Sequence, residues 1–302
     1  MADRSAADRW LRRWLIYPAE ALVITLLYSL FAWLPVDRAS ALGGWLARTV
    51  GPWLPFSRRA LVNLRRALPD LPPERHRAIV RGMWDNLGRV MAEHPHLEQL
   101  WDEQASGRIE VIGAEHLPRP ADGAKRPSLM FSGHLANWEL LPAGASRYGL
   151  ALTSIYRRPN NPLVQHFMTA RRHAGRGKLV PKGRDGARAI FAALAQGGTV
   201  AMLIDQKMND GIPVPFFGHP AMTAPALAQL ALKFRCPVLP TRSERLDGAR
   251  FRLTVLPPLA LPDSGDREAD IRDFMATVNR LLESWVRERP EQWLWLHKRW
   301  PD

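Results

Sequence analysis

From about Ile109 onward, short apolar segments of strand length alternate with longer segments that have helical periodicity. The runs SLMFS at 128–132 and TVAMLI at 199–204 are short and mostly apolar, which is typical of strands buried on both faces of a sheet. The segments 185–196 and 266–289 carry apolar residues at helical spacing. Strand–helix alternation of this kind builds a sheet with helices on its faces. The sequence therefore predicts an α/β fold, with a mixed, mostly parallel sheet flanked by helices.

The chain ahead of this alternation has a different pattern. Residues 38–104 are predicted to be helical, with apolar periodicity in two stretches and a proline-rich break at 69–73. We therefore expect three parts: a basic and apolar membrane-anchoring segment at 1–37, a helical part at 38–104, and an α/β core at 105–302.

The anchoring segment contains an uncharged apolar run at 21–34, preceded by Glu20 and several arginines. A helix needs roughly 20 apolar residues to cross a bilayer, so this run is too short unless Leu15 to Tyr17 join it and Glu20 is tolerated. We favour an interfacial helix; a tilted span and an ordinary buried helix are the alternatives. A secretory signal fits poorly, because no small-residue cleavage site follows the run.

The composition narrows the class of partner. The net charge of +13 and the pI near 10.8 attract polyanions: nucleic acid, anionic lipid headgroups, phosphorylated substrates or an acidic carrier protein. Five of the twelve tryptophans fall in the first 53 residues, and tryptophan favours the membrane–water boundary. The single Cys236 excludes an internal disulfide and a cysteine-cluster metal site, and it fits a reducing compartment.

The segment most indicative of chemistry is 131–139, Phe-Ser-Gly-His-Leu-Ala-Asn-Trp-Glu. If His134 lies in the turn from a strand to a helix, Glu139 in the first helical turn can reach back to the ring. The carboxylate then keeps one imidazole nitrogen protonated and leaves the other free to accept a proton from an attacking hydroxyl. By itself the pair is also compatible with a structural or solvated role. Motifs typical of serine hydrolases, zinc proteases and P-loops are absent from the sequence.

The run GHLANWE resembles the histidine–four residues–acid motif of the glycerolipid and lipid A acyltransferases. Four further blocks are similar, in the same order, to those of the lipid A biosynthesis late acyltransferase (lauroyl/myristoyl acyltransferase) family, within the lysophospholipid acyltransferase superfamily. They are YRRPNNP at 156–162; Arg171 with Arg184 and Asp185; Asp205-Gln206 followed by GIPVPFFG at 211–218, with Ala221 and Thr223; and WLHKRW at 295–300. Two departures are the doubled arginine at 157–158 and the short apolar run.

The resemblance implies an enzyme that moves a fatty acyl group from an acyl-carrier-protein or coenzyme A thioester to a hydroxyl of a lipid A precursor, in lipopolysaccharide biosynthesis. It places the enzyme on the cytoplasmic face of a bacterial inner membrane. It implies no cofactor besides the donor substrate, and no metal. The expected partners are the donor, the membrane lipid acceptor and the anionic membrane surface, with no nucleic acid.

Several further side chains are candidates for substrate binding. Arginines near the ends of strands and helices can bind phosphates through their guanidinium groups, and the alternative for each is a solvated surface side chain. Asp205 ends a predicted strand at the edge where α/β sheets place functional groups, and it either positions substrate or anchors the next loop. The substrate-binding candidates are Arg171, Arg157, Asn161, Arg184, Asp205 and Gln206.

Two aromatic groups are open to more than one interpretation. Phe216-Phe217 suits an acyl chain, but packing is the favoured prediction for this pair. Trp293, Trp295 and Trp300 beside three basic residues resemble an interfacial cluster, with a C-terminal cap as the alternative.

Alternatives to the predicted function come from three classes. The same superfamily also acts on other lipid acceptors, such as a phosphoinositol mannoside or an aminolipid. A basic nucleic-acid-binding protein agrees with the charge, but no nucleic-acid-binding module is recognisable. An inactive membrane scaffold is disfavoured by the intact pair of His134 and Glu139. No linear motif sets the acyl chain length, because that depends on the depth of a cavity.

Overall fold

A seven-stranded sheet, with strand order β1-β9-β8-β2-β5-β3-β4, forms the centre of the protein. The computed structural model describes residues 10–102, 107–118, 125–156, 158–170 and 177–300. The strands of this sheet are β1 (Ile109–Ile112), β2 (Ser128–Ser132), β3 (Leu152–Tyr156), β4 (Lys178–Pro181), β5 (Thr199–Leu203), β8 (Val238–Asp247) and β9 (Arg250–Val255). A separate antiparallel hairpin pairs β6 (Ile212–Phe216) with β7 (His219–Thr223).

Helices cover both faces of the sheet, as the sequence predicted. The α-helices are α1 (Tyr17–Trp33), α2 (Val36–Val50), α3 (Phe56–Ala67), α4 (Pro73–Glu93), α5 (Leu97–Leu100), α6 (Leu140–Ala145), α7 (Pro162–Ala170), α8 (Arg184–Ala195), α9 (Ala226–Phe234) and α10 (Arg267–Glu288). The pattern of residues in the strands therefore identified the fold class correctly.

Strand direction decides where functional groups meet. β2 lies between β8 and β5 and runs parallel to both, and β3 continues the parallel order from β5 to β4. The carboxyl ends of these five strands consequently lie at one edge of the sheet. β9 is antiparallel to β8, which makes the sheet mixed.

Strand β2 is buried on both faces, which explains the three consecutive apolar residues at its centre. Leu129 and Phe131 pack in the large core cluster with α4, α8, α9 and α10. Met130, between them, points to the opposite face and packs with residues such as Leu152 and Leu239. Both faces of the strand are buried, so no polar alternation is needed.

The amino-terminal helix is longer than its apolar run. A π-helical turn, Arg12–Ile16, continues directly into α1, and 22 residues from Arg12 to Trp33 form one segment that is long and apolar enough to cross a membrane. Two features extend the helix beyond the apolar run at 21–34. Leu15 to Tyr17 join it, and the Glu20 carboxylate, which would otherwise interrupt the apolar surface, accepts a hydrogen bond from Asn161 Nδ2 at 3.1 Å.

The surface of this segment is mostly open. Of its most apolar stretch, 6% is buried, which contradicts the alternative of an ordinary buried helix. The contacts that dock the helix on the body include Asn161, His96, which bonds the Phe31 carbonyl, and Phe167, whose ring lies 5.2 Å from Tyr28. Whether the helix spans or dips into a bilayer stays a prediction.

The carboxyl-terminal segment is a buried strap across the large core cluster. Trp293, Trp295 and Trp300 are between 0% and 3% exposed, and Arg299 is fully buried over the ring of Phe216. The interpretation of this cluster as a membrane-interface patch is wrong, because its tryptophan rings have no free surface. Phe216 and Phe217 are buried as well, so packing was the correct prediction for that pair.

Helices α2 and α4 cross at glycines. A β-carbon added at Gly88 would lie 2.1 Å from the Gly43 carbonyl oxygen and 2.5 Å from the Ala47 β-carbon. The obstacle is helix backbone, which cannot move aside as a flexible side chain can. The two glycines thus set the closest approach of these helices.

We expect Gly88→Ala to lower the thermal midpoint of the full-length protein in detergent micelles. Overpacking costs about 1–3 kcal/mol, whereas alanine gains about 1 kcal/mol in helix propensity. Near-UV circular dichroism of the buried tryptophans reports the transition. Arg81→Ala, at an exposed position of the same helix, is the control and should leave the midpoint unchanged. A Gly88→Ala protein as stable as the parent would contradict the tight crossing.

Candidate active site

The turn that follows β2 brings a histidine to the carboxyl edge of the sheet. Gly133 leaves room there: a β-carbon on it would lie 2.8 Å from Leu282 and 3.2 Å from an oxygen of Asp205. Ala136 has a positive φ of 47°, a conformation that costs energy for a residue with a side chain. The neighbouring structure must therefore hold this turn in place.

The imidazole of His134 is held by Asp205. Its Nδ1 lies 2.7 Å from Asp205 Oδ1, and the backbone N–H of His134 donates to Asp205 Oδ2 at 2.7 Å. Trp293 Nε1 donates to the same oxygen at 2.8 Å. The carboxylate is fully buried and is satisfied by three donors from two parts of the chain.

This geometry corrects the expected partner of the ring from Glu139 to Asp205. Sheet neighbours explain the correction: Ser132 of β2 pairs with Leu203 of β5, so the residues two positions further along each chain meet. Glu139 instead stands at the amino end of α6, and its side chain lines a cavity. Among the described residues, its carboxylate has no hydrogen-bond or ion-pair partner.

The bond to Asp205 also fixes the tautomer of His134. An ionised carboxylate only accepts hydrogen bonds, so Nδ1 carries the proton and donates it. In the neutral ring, Nε2 is then left with its lone pair. The arrangement therefore leaves one basic nitrogen on a ring that cannot turn freely.

Charge and burial oppose each other in this pair. Burial alone lowers the pKa of His134, but the charge and hydrogen bond of Asp205, with a further contribution from Glu139, raise it above its ordinary value. Burial alone would raise the pKa of Asp205, yet the contacts with His134 hold that pKa well below its usual range. Asp205 consequently stays ionised while His134 titrates.

A second histidine faces the first. The rings of His134 and His297 lie 5.0 Å apart, and Gln206 Nε2 is 3.4 Å from the Nε2 atom of each. Burial, followed by the charge of His134, lowers the pKa of His297 to about 4, so this ring is neutral near pH 7. His297 was not predicted as a site residue. The sequence places it 163 positions from His134, and only the strap brings the two together.

A mostly apolar cavity of about 160 Å³ lies beside the turn that follows β2. It lies on the α6 face of the sheet, and its wall includes Trp138, whose ring is 5.0 Å from that of His134. Side chains that face it from alternate positions of neighbouring strands include Met130, Ser132, Leu152, Ser154, Ala201 and Leu203. The cavity can accept an apolar chain whose polar end remains near His134.

A buried polar network holds the turn in place. Glu93 forms a buried ion pair with Arg245 and accepts a hydrogen bond from Asn137 Nδ2 at 2.8 Å. Arg245 Nε donates to Asn86 Oδ1 at 3.0 Å, and Asn86 Nδ2 donates to the Ala136 carbonyl at 3.1 Å. Through these bonds, α4 and β8 fix the strained residue Ala136 and its neighbour.

The remaining predicted residues lie in different places. Arg157 and Arg171 fall outside the described residues. Arg184 is exposed at the first position of α8, after β4, and thus on the same sheet edge as His134. Asn161 bonds the amino-terminal helix: its Nδ2 donates to the Tyr17 carbonyl at 2.8 Å. Its substrate-binding role stays a prediction, as do those of the arginines.

Comparison with known proteins identifies the family. A sequence model of the family described as bacterial lipid A biosynthesis acyltransferase matches residues 3–302. The chain is 28% identical to a lipid A biosynthesis lauroyltransferase of Escherichia coli (strain K12), over 81% of this chain and 79% of that protein. It is 26% identical to the myristoyltransferase of the same strain, over 80% and 74% of the two chains. A lipid A biosynthesis acyltransferase of Haemophilus influenzae is 24% identical over 88% and 83%.

We expect Arg245→Met to destabilise the protein by about 3–5 kcal/mol, because it leaves the buried carboxylate of Glu93 without its cation. Arg252→Met is the matched control: Arg252 Nε pairs with Glu110 at 2.9 Å, but both side chains are well exposed. Arg252→Met should lower the free energy of unfolding by about 0–1 kcal/mol. Urea unfolding followed by near-UV circular dichroism measures this free energy for both variants. Equal decreases would show that the buried ion pair contributes no more to stability than the exposed one.

Proposed function

The chain belongs to the bacterial lipid A biosynthesis acyltransferase family, and on that premise we propose that it esterifies a hydroxyl of a lipid A precursor with a fatty acyl group from a thioester. As a member of this family it is an acyltransferase. One observation supports the reaction most: a histidine whose Nε2 carries no proton in the neutral ring is held by a buried carboxylate, and its ring lies 5.0 Å from Trp138 in the wall of an apolar cavity.

In the proposed reaction, His134 Nε2 takes the proton of the acceptor hydroxyl as its oxygen attacks the thioester carbonyl. The new carbon–oxygen bond forms, the carbon–sulfur bond breaks, and the protonated His134 returns the proton to the departing thiolate. Asp205 stabilises the positively charged ring between these two transfers. The nucleophile comes from the substrate, so no acyl-enzyme intermediate and no cofactor beyond the donor are needed.

The acyl chain of the donor is proposed to occupy the apolar cavity, with the thioester near Trp138 and His134. Glu139 lines the cavity close to this position, and its charge contributes to the raised pKa of His134. We keep it as a catalytic residue of the proposal, acting on the charge of the ring and on the acceptor rather than holding Nδ1.

Phosphates of the acceptor are proposed to bind cations at the carboxyl edge of the parallel strands. Arg158 follows β3, Lys182 and Arg184 follow β4, and Lys207 follows β5, on the edge that carries His134. Guanidinium and ammonium groups at that edge suit a phosphorylated lipid. Arg157 and Arg171, the arginines predicted from the sequence, belong to the same proposal.

The donor is proposed to be an acyl-carrier-protein or coenzyme A thioester, since both are anionic and the chain has a net charge of +13. The amino-terminal helix supports membrane association. We propose that the protein lies on the cytoplasmic face of the bacterial inner membrane. The arginines at 4–13 favour a cytoplasmic amino terminus, and a helix that dips into the bilayer without crossing it keeps the body of the protein on that same side.

Mass spectrometry of total lipids tests the acceptor and the chain length together. Cells that lack the gene should lose one acyl group from lipid A and regain it on expression of the chain, but not of its His134→Ala variant. An unchanged lipid A with loss of acylation on another lipid would contradict the proposed acceptor and leave acyl transfer intact.

His134→Ala should lower turnover at least about 10²-fold, the usual scale for losing a positioned base. Steady-state assays of the purified parent and variant with the same acyl thioester measure the effect. His219→Ala, an exposed histidine in β7, is the control and should keep the parent's rate. Retention of full turnover by His134→Ala would remove this histidine from the chemistry.

Asp205→Asn should lower turnover and also move the acidic limb of the kcat/KM profile to lower pH. The sign follows from the pKa: Asp205 raises the pKa of His134, and the base acts only when neutral, so loss of the charge lets it act at lower pH. Glu139→Gln should move the limb less, because Nδ1 keeps its partner. If Glu139→Gln moves the limb and Asp205→Asn does not, Asp205 is not the partner of the ring during turnover.

A further inference from the structure

A short apolar loop is exposed between α2 and the first residue of α3. It consists of Trp53, Leu54, Pro55 and Phe56, and we refer to it as the WLPF loop. Trp53 is 87% exposed, Phe56 56% and Leu54 37%. A tryptophan and a phenylalanine presented side by side to solvent are unusual for a surface that faces only water.

The apolar surface continues onto both flanking helices. On α2, Trp45 is 50% exposed, and on α3, Val62 is 55% exposed. The opposite side of each helix is buried: Gly43 of α2 packs on α4, and Leu64 of α3 lies in the large core cluster. The exposed residues are therefore the outer side of helices that are already fixed, and they are not needed for packing within the described part of the chain.

The chain segment that forms this surface is rich in arginine, although Arg48 of α2 pairs with Asp85 of α4. Residues 38–69 contain six arginines and no aspartate, glutamate or lysine. Arg58 and Arg65 are exposed on α3, one helical turn from Val62 on either side. Apolar rings next to arginines, without acidic residues between them, complement a surface that has a greasy interior and anionic headgroups.

Helix α3 connects this surface to the active site. On its buried side, Asn63 Nδ2 donates to the carbonyls of Trp295 and His297, at 2.8 and 2.7 Å. Arg59 Nη1 lies 3.4 Å from the Leu296 carbonyl. The helix that follows the WLPF loop thus directly holds the strap segment from which His297 faces His134.

We propose that the WLPF loop and the outer sides of α2 and α3 form a second membrane contact, which inserts into the headgroup region of an anionic bilayer. The contact is separate in the chain from the amino-terminal helix. Two contacts fix the orientation of the body on the membrane, whereas a single helix lets the body swing. The orientation brings the opening near His134 and His297 close to the headgroups, so a lipid acceptor reaches it without leaving the bilayer.

Insertion of the WLPF loop into a bilayer does not depend on acyl transfer. A protein without acyltransferase activity on lipid A can still insert the loop, and an active enzyme can keep the loop in water outside the bilayer. Failure of the membrane contact and failure of the proposed function are therefore distinguishable.

The single cysteine makes a depth measurement practical. Cys236 is 2% exposed, and burial raises the pKa of its thiol to about 11, so a cysteine introduced at the surface reacts first. Trp53→Cys in the full-length chain receives an environment-sensitive fluorophore, and the protein is reconstituted in vesicles of phosphatidylethanolamine and phosphatidylglycerol. Lipids with a nitroxide near the carbonyl end of the acyl chain serve as quencher. We expect a blue shift and about a twofold loss of intensity, as for a probe at the headgroup–acyl boundary.

Controls separate this contact from anchoring by the amino-terminal helix, which stays intact in every variant. Gln196→Cys, exposed at the end of α8 on the amino edge of the sheet, should show neither shift nor quenching. Charge reversal by Arg58→Glu with Arg65→Glu should reduce quenching at Trp53→Cys, and so should vesicles of phosphatidylcholine alone. Phe56→Cys provides a second position in case the first variant folds poorly, with near-UV circular dichroism as the check on folding.

Three results would overturn the proposal. One is a probe at both loop positions that is quenched no more than the probe at Gln196→Cys. Another is a blue shift that rises with protein concentration but is insensitive to nitroxide lipids, which would assign the surface to a second copy of the chain. The third is a shift that requires added acyl carrier protein, which would assign it to that acidic partner.

Discussion

The buried carboxylate of Asp205 joins the three parts of the chain that build the site. It receives the ring and the backbone N–H of His134 from the turn after β2, and the indole N–H of Trp293 from the strap. A buried carboxylate without these donors would be costly, so the ion and its donors stabilise one another's positions. The same bond that satisfies the acid also sets the tautomer of the histidine. In this site, folding and chemistry rest on one interaction.

Around that interaction, the polar groups are divided between two tasks. The network of Glu93, Arg245 and Asn86 holds the backbone of the turn at Ala136, where the positive φ needs support. Gln206 and His297 lie on the Nε2 side of the imidazole and form a neutral polar group there. The position of the turn is thus fixed by groups deep in the fold, and different groups face Nε2.

The apolar surfaces are divided in a similar way. The cavity beside α6 is enclosed by alternate residues of several strands, and it suits a chain taken out of water. The amino-terminal helix and the WLPF loop are apolar and exposed, and they suit a bilayer. Helix α3 carries the flank of the loop and also donates hydrogen bonds to the strap, so one short helix joins this exposed apolar surface to the segment that contains His297.

The sequence by itself determined the fold class and the family resemblance, and it singled out His134 as the candidate base. These depend on local periodicity and on motifs contiguous in the chain, which a linear pattern contains in full. It missed β4, β6 and β7 as strands. It also left the length of the amino-terminal helix open, because the tolerance of Glu20 depends on Asn161, 141 positions away. The partner of His134 was decided only by tertiary structure. Glu139 is near in sequence, but the pairing of β2 with β5 brings Asp205 across 71 positions, and Trp293 and His297 arrive from the far end of the chain. Hydrogen bonds depend on distance in space, and strand register, which no local pattern records, sets that distance here.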